Sequence, residues 1–294
     1  IKRSRGQFLY GDVVGIAETI KAKLIESNLV ERCEIAGSLR RKKEVVKDID
    51  IVASSKDSTS LMDFFVSLPE VKEIIGKGQT KSSVKFKNGI NMDIRVVNDS
   101  QYPYALHHFT GSKEHNTALR HRAKGFGIKV NEYGLFRHED LITCKDEEDI
   151  FKELNLQYIP PELRENNGEI EAAESNSIPD LVKYEDLKGM FHVHTNYSDG
   201  SNSIIEIVEK AKEMGFHYLG IADHSRSAFY ARGLEINEVM KQFDEIDELN
   251  HKIKDFKILK GIEADILSDG SLDYDDDILS RFDFVIASVH SNLK

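Results

Sequence analysis

Ala36-Gly37-Ser38-Leu39-Arg40-Arg41-Lys42-Lys43-Glu44, followed by Asp48-Ile49-Asp50-Ile51-Val52, is the stretch on which the fold turns. Residues two apart on a strand face the same way, so Asp48 and Asp50 present paired carboxylates while Ile49 and Ile51 point into a core. Like charges that close call for a cation. A third acid, Asp93, stands in Asn91-Met92-Asp93-Ile94-Arg95-Val96-Val97, where alternation puts it on the face of Asn91 and Arg95. If that strand neighbours the first, three carboxylates converge. Oxygen ligands in small number suit Mg²⁺, which takes the rest of its shell from water and substrate phosphates. Gly37-Ser38 at a strand end lets backbone N–H groups approach a phosphate and adds a hydroxyl donor, and Arg41 has the fork to grip one. An Asp-x-Asp pair alone is more often a solvated strand edge. Joined to the Gly-Ser turn, the basic run and a third strand Asp, it reads as a metal site.

Outward from this stretch, residues 11–29 carry apolar side chains at helical spacing, and strand-like pieces follow at 30–36, 48–53, 82–86 and 92–97. Asn88-Gly89 predicts a hairpin between the last two, and a helix is expected over 61–68. This order predicts an α+β domain with a mostly antiparallel sheet. From 102 to about 160 short helices and turns are expected, with Asn131-Glu132-Tyr133-Gly134 as a tight turn. Residues 160–186, rich in Pro, Glu and Asn and without periodicity, read as a linker. Beyond it, strands at 190–194, 218–222, 257–263 and 282–288 alternate with helices at 204–214 and 236–252, which implies βα units and a parallel sheet or barrel.

The 294 residues have a net charge of −11, but the average hides a split. Residues 1–130 hold 23 Lys and Arg against 15 Asp and Glu, a net of +8, and residues 131–294 hold 17 against 36, a net of −19. A basic front half suits a polyanion. Two cysteines, Cys33 and Cys144, with no Cys-x-x-Cys spacing, predict reduced structural thiols. No run approaches the ~18 apolar residues of a spanning helix, so no membrane partner and a cytoplasmic, nucleoid-associated place are expected. The chain begins at Ile1 and ends just after an apolar run, from which a fragment of a longer protein is expected.

The rear half has its own chemistry. Phe191-His192-Val193-His194-Thr195, with Ser198-Asp199-Gly200 just after, sets two imidazoles on one strand face and a carboxylate beyond them. His224, Glu263 and His290 follow at the ends of later strands. Ligands at the C-terminal ends of successive parallel strands converge at one mouth of a barrel. Any one of them alone is more often structural; together they read as a metal cluster.

These motifs carry a resemblance. Gly37-Ser38-x-Arg40-Arg41, Asp48-x-Asp50 and Asp93 are similar to the palm of the nucleotidyltransferase superfamily. Phe109-Thr110-Gly111-Ser112-Lys113-Glu114-His115-Asn116 with Leu119-Arg120 resembles the thumb of family X DNA polymerases, with His108 where vertebrate members have Tyr. The histidine motif resembles the polymerase and histidinol phosphatase (PHP) domain, a distorted α/β barrel with a metal cluster. Bacterial and archaeal family X polymerases join these parts through a linker like residues 159–164. The resemblance therefore implies a palm over 1–100 with the end of the fingers, a small α/β thumb over 101–160, a linker over 161–186 and a truncated TIM-like PHP barrel over 187–294. It implies Asp48, Asp50 and Asp93 as catalytic ligands of Mg²⁺ or Mn²⁺. Gly37, Ser38 and Arg41 would hold nucleotide phosphates, with Phe109, Thr110, Gly111, Lys113 and Asn116 around sugar and base. Arg95 and Arg120 would meet DNA. His192, His194, Asp199, His224, Glu263 and His290 would hold Zn²⁺ or Mn²⁺; the family's further His and closing Asp-x-His are not in this sequence. The implied partners are deoxynucleoside triphosphates and primer-template or gapped DNA, met by a monomer, and the implied activity is gap-filling repair synthesis with a 3′-5′ exonuclease or phosphoesterase behind it. Three rivals stand beside it: an untemplated nucleotidyltransferase, a phosphoesterase whose front half only binds DNA, and a DNA-end scaffold that binds without turnover.

Overall fold

The computed structural model describes residues 6–290; the outer ends of the first and last expected domains, 1–5 and 291–294, lie outside the described residues. The chain divides into two compact units, Ile1–Pro179 and Asp180–Lys294.

The first unit opens with β1 (Phe8–Leu9) and α1 (Tyr10–Glu26), then β2 (Arg32–Ala36), α2 (Gly37–Arg40), β3 (Val45–Val46), β4 (Asp48–Ser54), α3 (Ser58–Val66), β5 (Val71–Lys77), β6 (Lys81–Phe86) and β7 (Asn91–Val97). Five strands form one sheet in the order β2-β4-β7-β6-β5, antiparallel except for β4 beside β7. The expected hairpin joins β6 to β7, and Gly89 takes its positive φ of 94°. The edge strand β5 was not foreseen; its Ile74 and Ile75 are exposed and give no alternation to read.

Alternation sorts this sheet into two faces. Ile49, Ile51, Ala53, Met92, Ile94 and Val96 pack with Val13, Ala17, Ile20 and Leu24 of α1 and Leu61, Met62 and Phe65 of α3. The opposite face carries Asp48, Asp50, Asp93 and Arg95, and farther along it Val52 packs with Ala36, Tyr102, Ala105 and Leu106. One face is therefore a dry core, and the other is left for chemistry.

The unit continues with α4 (Tyr102–Thr110), α5 (Lys113–Gly125), a three-stranded antiparallel sheet of β8 (Ile128–Asn131), β9 (Gly134–Arg137) and β10 (Asp140–Ile142), then α6 (Glu147–Glu153) and α7 (Glu169–Glu174). The Asn131 carboxamide accepts from the N–H groups of Tyr133 and Gly134 and closes the expected turn. Residues 161–179, read as linker, differ from that expectation. Ile170, Ala173, Leu163 and Ile178 join the core of Tyr104, Leu119, Phe151 and Ile159, and Arg164 is fully buried. The apolar residues that anchor this segment are too sparse for periodicity to reveal them.

The second unit holds β11 (Gly189–Val193), α8 (Ile204–Glu213), β12 (Tyr218–His224), α9 (Ile236–Lys252), β13 (Lys257–Asp265), α10 (Asp276–Leu279) and β14 (Phe284–Ser288). The four strands are parallel, in sequence order, and form a curled half-barrel. Ile204 and Val208 of α8 and Ile246 of α9 pack against Leu219, Ile221 and Ile258. Sequential βα units place all four C-terminal strand ends on one side.

Candidate active sites

In the first unit the parallel register sets Asp50 opposite Asp93 and Asp48 opposite Asn91. The three expected carboxylates therefore share a face at the start of two adjacent strands. Burial, then the neighbouring Asp48 and Asp93 charges, push the Asp50 carboxyl up to about 7, and burial with Asp93 also raises Asp48. Lys81 answers part of this charge, with Nζ 2.5 Å from Asp93. A shared divalent cation is what this all-oxygen donor set fits. Gly37 is required beside it: its φ is +62°, and a Cβ there would stand 2.2 Å from an Asp50 carboxylate oxygen. Ser38 follows it in α2, partly exposed.

The basic run is less open than its sequence suggests. Arg40 grips Glu147 in bidentate fashion, at 3.0 and 2.6 Å, and donates to the Thr110 hydroxyl at 2.7 Å. Arg41 donates from Nε to Glu165 at 2.7 Å and from Nη1 to the Thr110 carbonyl at 2.8 Å. Lys42 meets Glu162 at 2.8 Å and Lys43 meets Glu165 at 3.4 Å. Glu147 also accepts from the buried Arg164; burial opposes its ionisation, but Arg164 and Arg40 hold its carboxyl down at about 2. Two of the Arg41 donors expected to grip a phosphate are thus engaged within the protein, by a segment, 147–165, whose acids sequence distance concealed.

Around the 108–111 turn, the Asn116 carboxamide donates to the carbonyls of His108 at 2.7 Å and Gly111 at 3.2 Å, so in this structure it braces the turn. Gly111 has no room for a Cβ, which would come within 2.8 Å of Asn116 and His115. His115 in turn meets Glu169 at 2.6 Å, a partner from the segment read as linker. Arg95 lies over the Phe109 ring, 4.6 Å from its centroid. Beside them a cleft of about 240 Å³ is lined by Thr80, Asn98, Glu132 and Tyr133. Lys113 and Arg120 are exposed on α5. Burial pushes the thiols of Cys33 and Cys144 up to about 12 and about 11, in keeping with unreactive free cysteines.

In the second unit all six expected ligands converge. Three groups, His192-His194-Glu263, His194-Asp199-His224 and His224-Glu263-His290, each keep their ligand atoms within 4.8 Å of one another. Glu263 is the hub: Oε2 lies 3.2 Å from His192, 3.3 Å from His194 and 3.1 Å from His224, and Oε1 lies 3.1 Å from His290. Burial opposes its charge, but the Ser288 hydroxyl and His192 bond to it and keep its carboxyl below the usual range. Burial lowers His224, and its buried Nδ1 has no hydrogen-bond partner although Glu263 is near. A buried ring nitrogen aimed at a carboxylate outside hydrogen-bond geometry, among His, Asp and Glu donors, fits a shared metal ion. The Asp265 carboxylate holds Nδ1 of His290 at 2.6 Å, and raises it against the effect of burial.

Two features here were not legible in the sequence. His192 and His194 do not follow simple alternation: the register shifts between Met190 and Val193, His192 takes φ +63°, and the strand ends at Val193. Asp223 is fully buried and accepts from the Thr195 N–H, the Thr195 and Ser198 hydroxyls and the Gln242 amide at 2.5–2.7 Å. It fixes the loop that carries Asp199.

Both units are similar to known proteins. Residues 105–165 match the family described as DNA polymerase beta thumb, and residues 191–294 match the PHP domain. Over 290 residues the chain is 40% identical to "DNA polymerase/3'-5' exonuclease PolX" of Bacillus subtilis, covering 97% of this chain and 50% of that protein. The chain thus spans about half the length of that relative. It is 29% identical to "Repair DNA polymerase X" of African swine fever virus, over 48% of this chain and 84% of the viral protein. A solved structure of Leishmania infantum polymerase beta, in a ternary P/T complex, aligns with 55% of this chain and 77% of its own at a TM-score of 0.48 and 23% identity. Among the described residues no helix is long and apolar enough to cross a membrane. Likeness to a DNA polymerase beta thumb and likeness to a PHP domain thus stand in one chain, which along nearly its whole length is similar to PolX of Bacillus subtilis.

Proposed function

We propose that the first unit is a DNA-directed DNA polymerase that fills gaps during repair, and that the second is a metal-dependent phosphodiesterase acting on DNA 3′ ends. The observation that carries the first reading is the register of β4 beside β7, which gathers Asp48, Asp50 and Asp93 on one face with Gly37 packed against Asp50. Asp48, Asp50 and Asp93 would hold Mg²⁺ or Mn²⁺, which when bound offsets the carboxylate repulsion and stabilises the oxygens of an in-line displacement at the α phosphorus. The Gly37 and Ser38 backbone and the Arg41 guanidinium bind the β and γ phosphates. Phe109 lies along the sugar, Thr110 and Gly111 shape the turn, and Lys113 and Asn116 border the base. Arg95 and Arg120 meet DNA, Arg120 near the template strand, and contribute position more than sequence readout.

In the second unit His192, His194, Asp199, His224, Glu263 and His290 would hold Zn²⁺ or Mn²⁺, which when bound supplies an activated water for phosphodiester hydrolysis. Asp265 orients His290 and Asp223 fixes the 195–199 loop, so the ligand geometry is set before substrate arrives. The protein acts as a monomer on gapped or primer-template DNA with deoxynucleoside triphosphates.

The test is extension of a labelled primer on one-nucleotide-gapped DNA with Mg²⁺ and each deoxynucleotide separately. Addition of the complementary nucleotide only, abolished in Asp50→Asn, is expected. Addition regardless of template would favour an untemplated transferase instead, and unchanged activities in Asp50→Asn would reduce the first unit to a DNA-binding module.

A further inference from the structure

An arginine can grip a phosphate or carboxylate in bidentate fashion along two edges, Nε with one terminal nitrogen or the two terminal nitrogens together. In Arg41 both edges are already half used. Its Nε donates to Glu165 at 2.7 Å and its Nη1 to the Thr110 carbonyl at 2.8 Å. Glu165 is itself backed by Lys43 at 3.4 Å, and its side chain is only 19% exposed. It follows directly on Arg164, whose buried side chain is fastened to Glu147 and, at 2.9 Å, to the Ile159 carbonyl. The Glu165 carboxylate is therefore returned to one place by a rigid anchor, at a high effective concentration.

We propose that Glu165 sets the affinity of this site for a triphosphate, standing on Arg41 as an internal substitute for a nucleotide phosphate that the incoming anion must displace. The inference rests on the reading that Gly37, Ser38 and Arg41 hold nucleotide phosphates. Among the acids on the basic run, Glu165 is the one suited to exchange. Glu147 is locked between Arg40 and the buried Arg164. Glu162 engages Lys42, whose side chain is 61% exposed and carries no fork. Glu165 is the acid on the Arg41 guanidinium, the one read as holding phosphate, and Lys43 stands ready to follow the anion that replaces it. The exchange makes and breaks hydrogen bonds only. Triphosphate selectivity follows from it, because a monophosphate offers less charge with which to displace a carboxylate held by two cations.

The test is calorimetric titration of the whole chain with inorganic tripolyphosphate and Mg²⁺, without DNA, beside the same titration of Glu165→Gln, Glu165→Ala and Arg41→Ala/Glu165→Ala. Removal of a charge-assisted competitor should tighten binding about tenfold in Glu165→Ala, with Glu165→Gln between it and the parent and the gain lost in the double variant. A gain of affinity cannot come from misfolded protein. Unchanged or weaker binding in Glu165→Ala, a gain that survives loss of Arg41, or no tripolyphosphate binding by any form would overturn the proposal. Failure of the polymerase reading shows separately, as absence of templated primer extension by the parent chain while the titration still orders the variants as stated.

Discussion

Replacing Asp50 by Asn should stabilise the metal-free protein at alkaline pH while abolishing nucleotide addition. Burial and the charges of Asp48 and Asp93 carry the Asp50 carboxyl from 3.8 to about 7. The folded state then binds more protons than the unfolded one between those values, so stability falls as pH rises through that window and the full cost is present above it. A displacement of that size corresponds to at most about 4 kcal/mol. Asp48, whose own carboxyl is raised by burial and by the Asp93 charge, relaxes when Asp50 is neutral, and Lys81 beside Asp93 already offsets part of the repulsion, which brings the gain expected from one neutral amide to about 2 kcal/mol. For a unit of this length that raises the melting temperature by about 4–8 °C. Scanning calorimetry in EDTA at pH 8 and pH 5 measures it, because at pH 5 the gap between variant and parent should shrink to about two fifths. Primer extension with Mg²⁺ measures the loss of activity in the same preparations. If Asp50→Asn is no more stable than the parent at pH 8, or its advantage is the same at both pH values, the three carboxylates do not repel one another as the register requires.

Glu147→Ala leaves Arg40 and the buried Arg164 without their common carboxylate and should cost about 3–5 kcal/mol. Because the folded-state Glu147 carboxyl sits at about 2, its contribution is present above the ordinary carboxylate range and fades as pH falls from about 4.5 towards 2, so the melting temperatures of parent and Glu147→Gln should converge in acid. Gly37→Ala forces a Cβ onto the Asp50 carboxylate from a left-handed backbone and should lower nucleotide addition by about 100-fold or more, read in the gapped-primer assay; wild-type rates would show that the turn does not pack as described. Asp223→Ala frees Thr195, Ser198 and Gln242 and should weaken Zn²⁺ or Mn²⁺ binding by about 10–100-fold in calorimetric titration without changing primer extension. Unaltered metal affinity would remove Asp223 from any role in positioning Asp199.

Period-two alternation determined the β4 and β7 faces, because each strand has one wholly apolar side and the carboxylates fall on the other. It also determined the hairpin at Asn88-Gly89, where only a turn with positive φ fits. The alternation of strands and helices after residue 187 fixed the parallel half-barrel, and with it the convergence of six ligands at one set of strand ends. These are local or periodic properties, and a chain displays them before it folds.

What the sequence left open were pairings between residues distant along the chain. Nothing in Arg40-Arg41-Lys42-Lys43 announces that Glu147, Glu162 and Glu165 will meet it, since those acids lie more than a hundred residues away, the last two in a stretch that looks like solvated linker. The left-handed turn at His192 falls within the register shift beside β12, a feature of strand pairing that the local sequence does not display. Asp223 reads as one more acid beside a candidate ligand, and only burial among four donors gives it a structural task. Residue type and spacing decided which groups face which side of each element; tertiary packing decided which charges meet, because that depends on how elements far apart in sequence are brought within a few ångströms of one another.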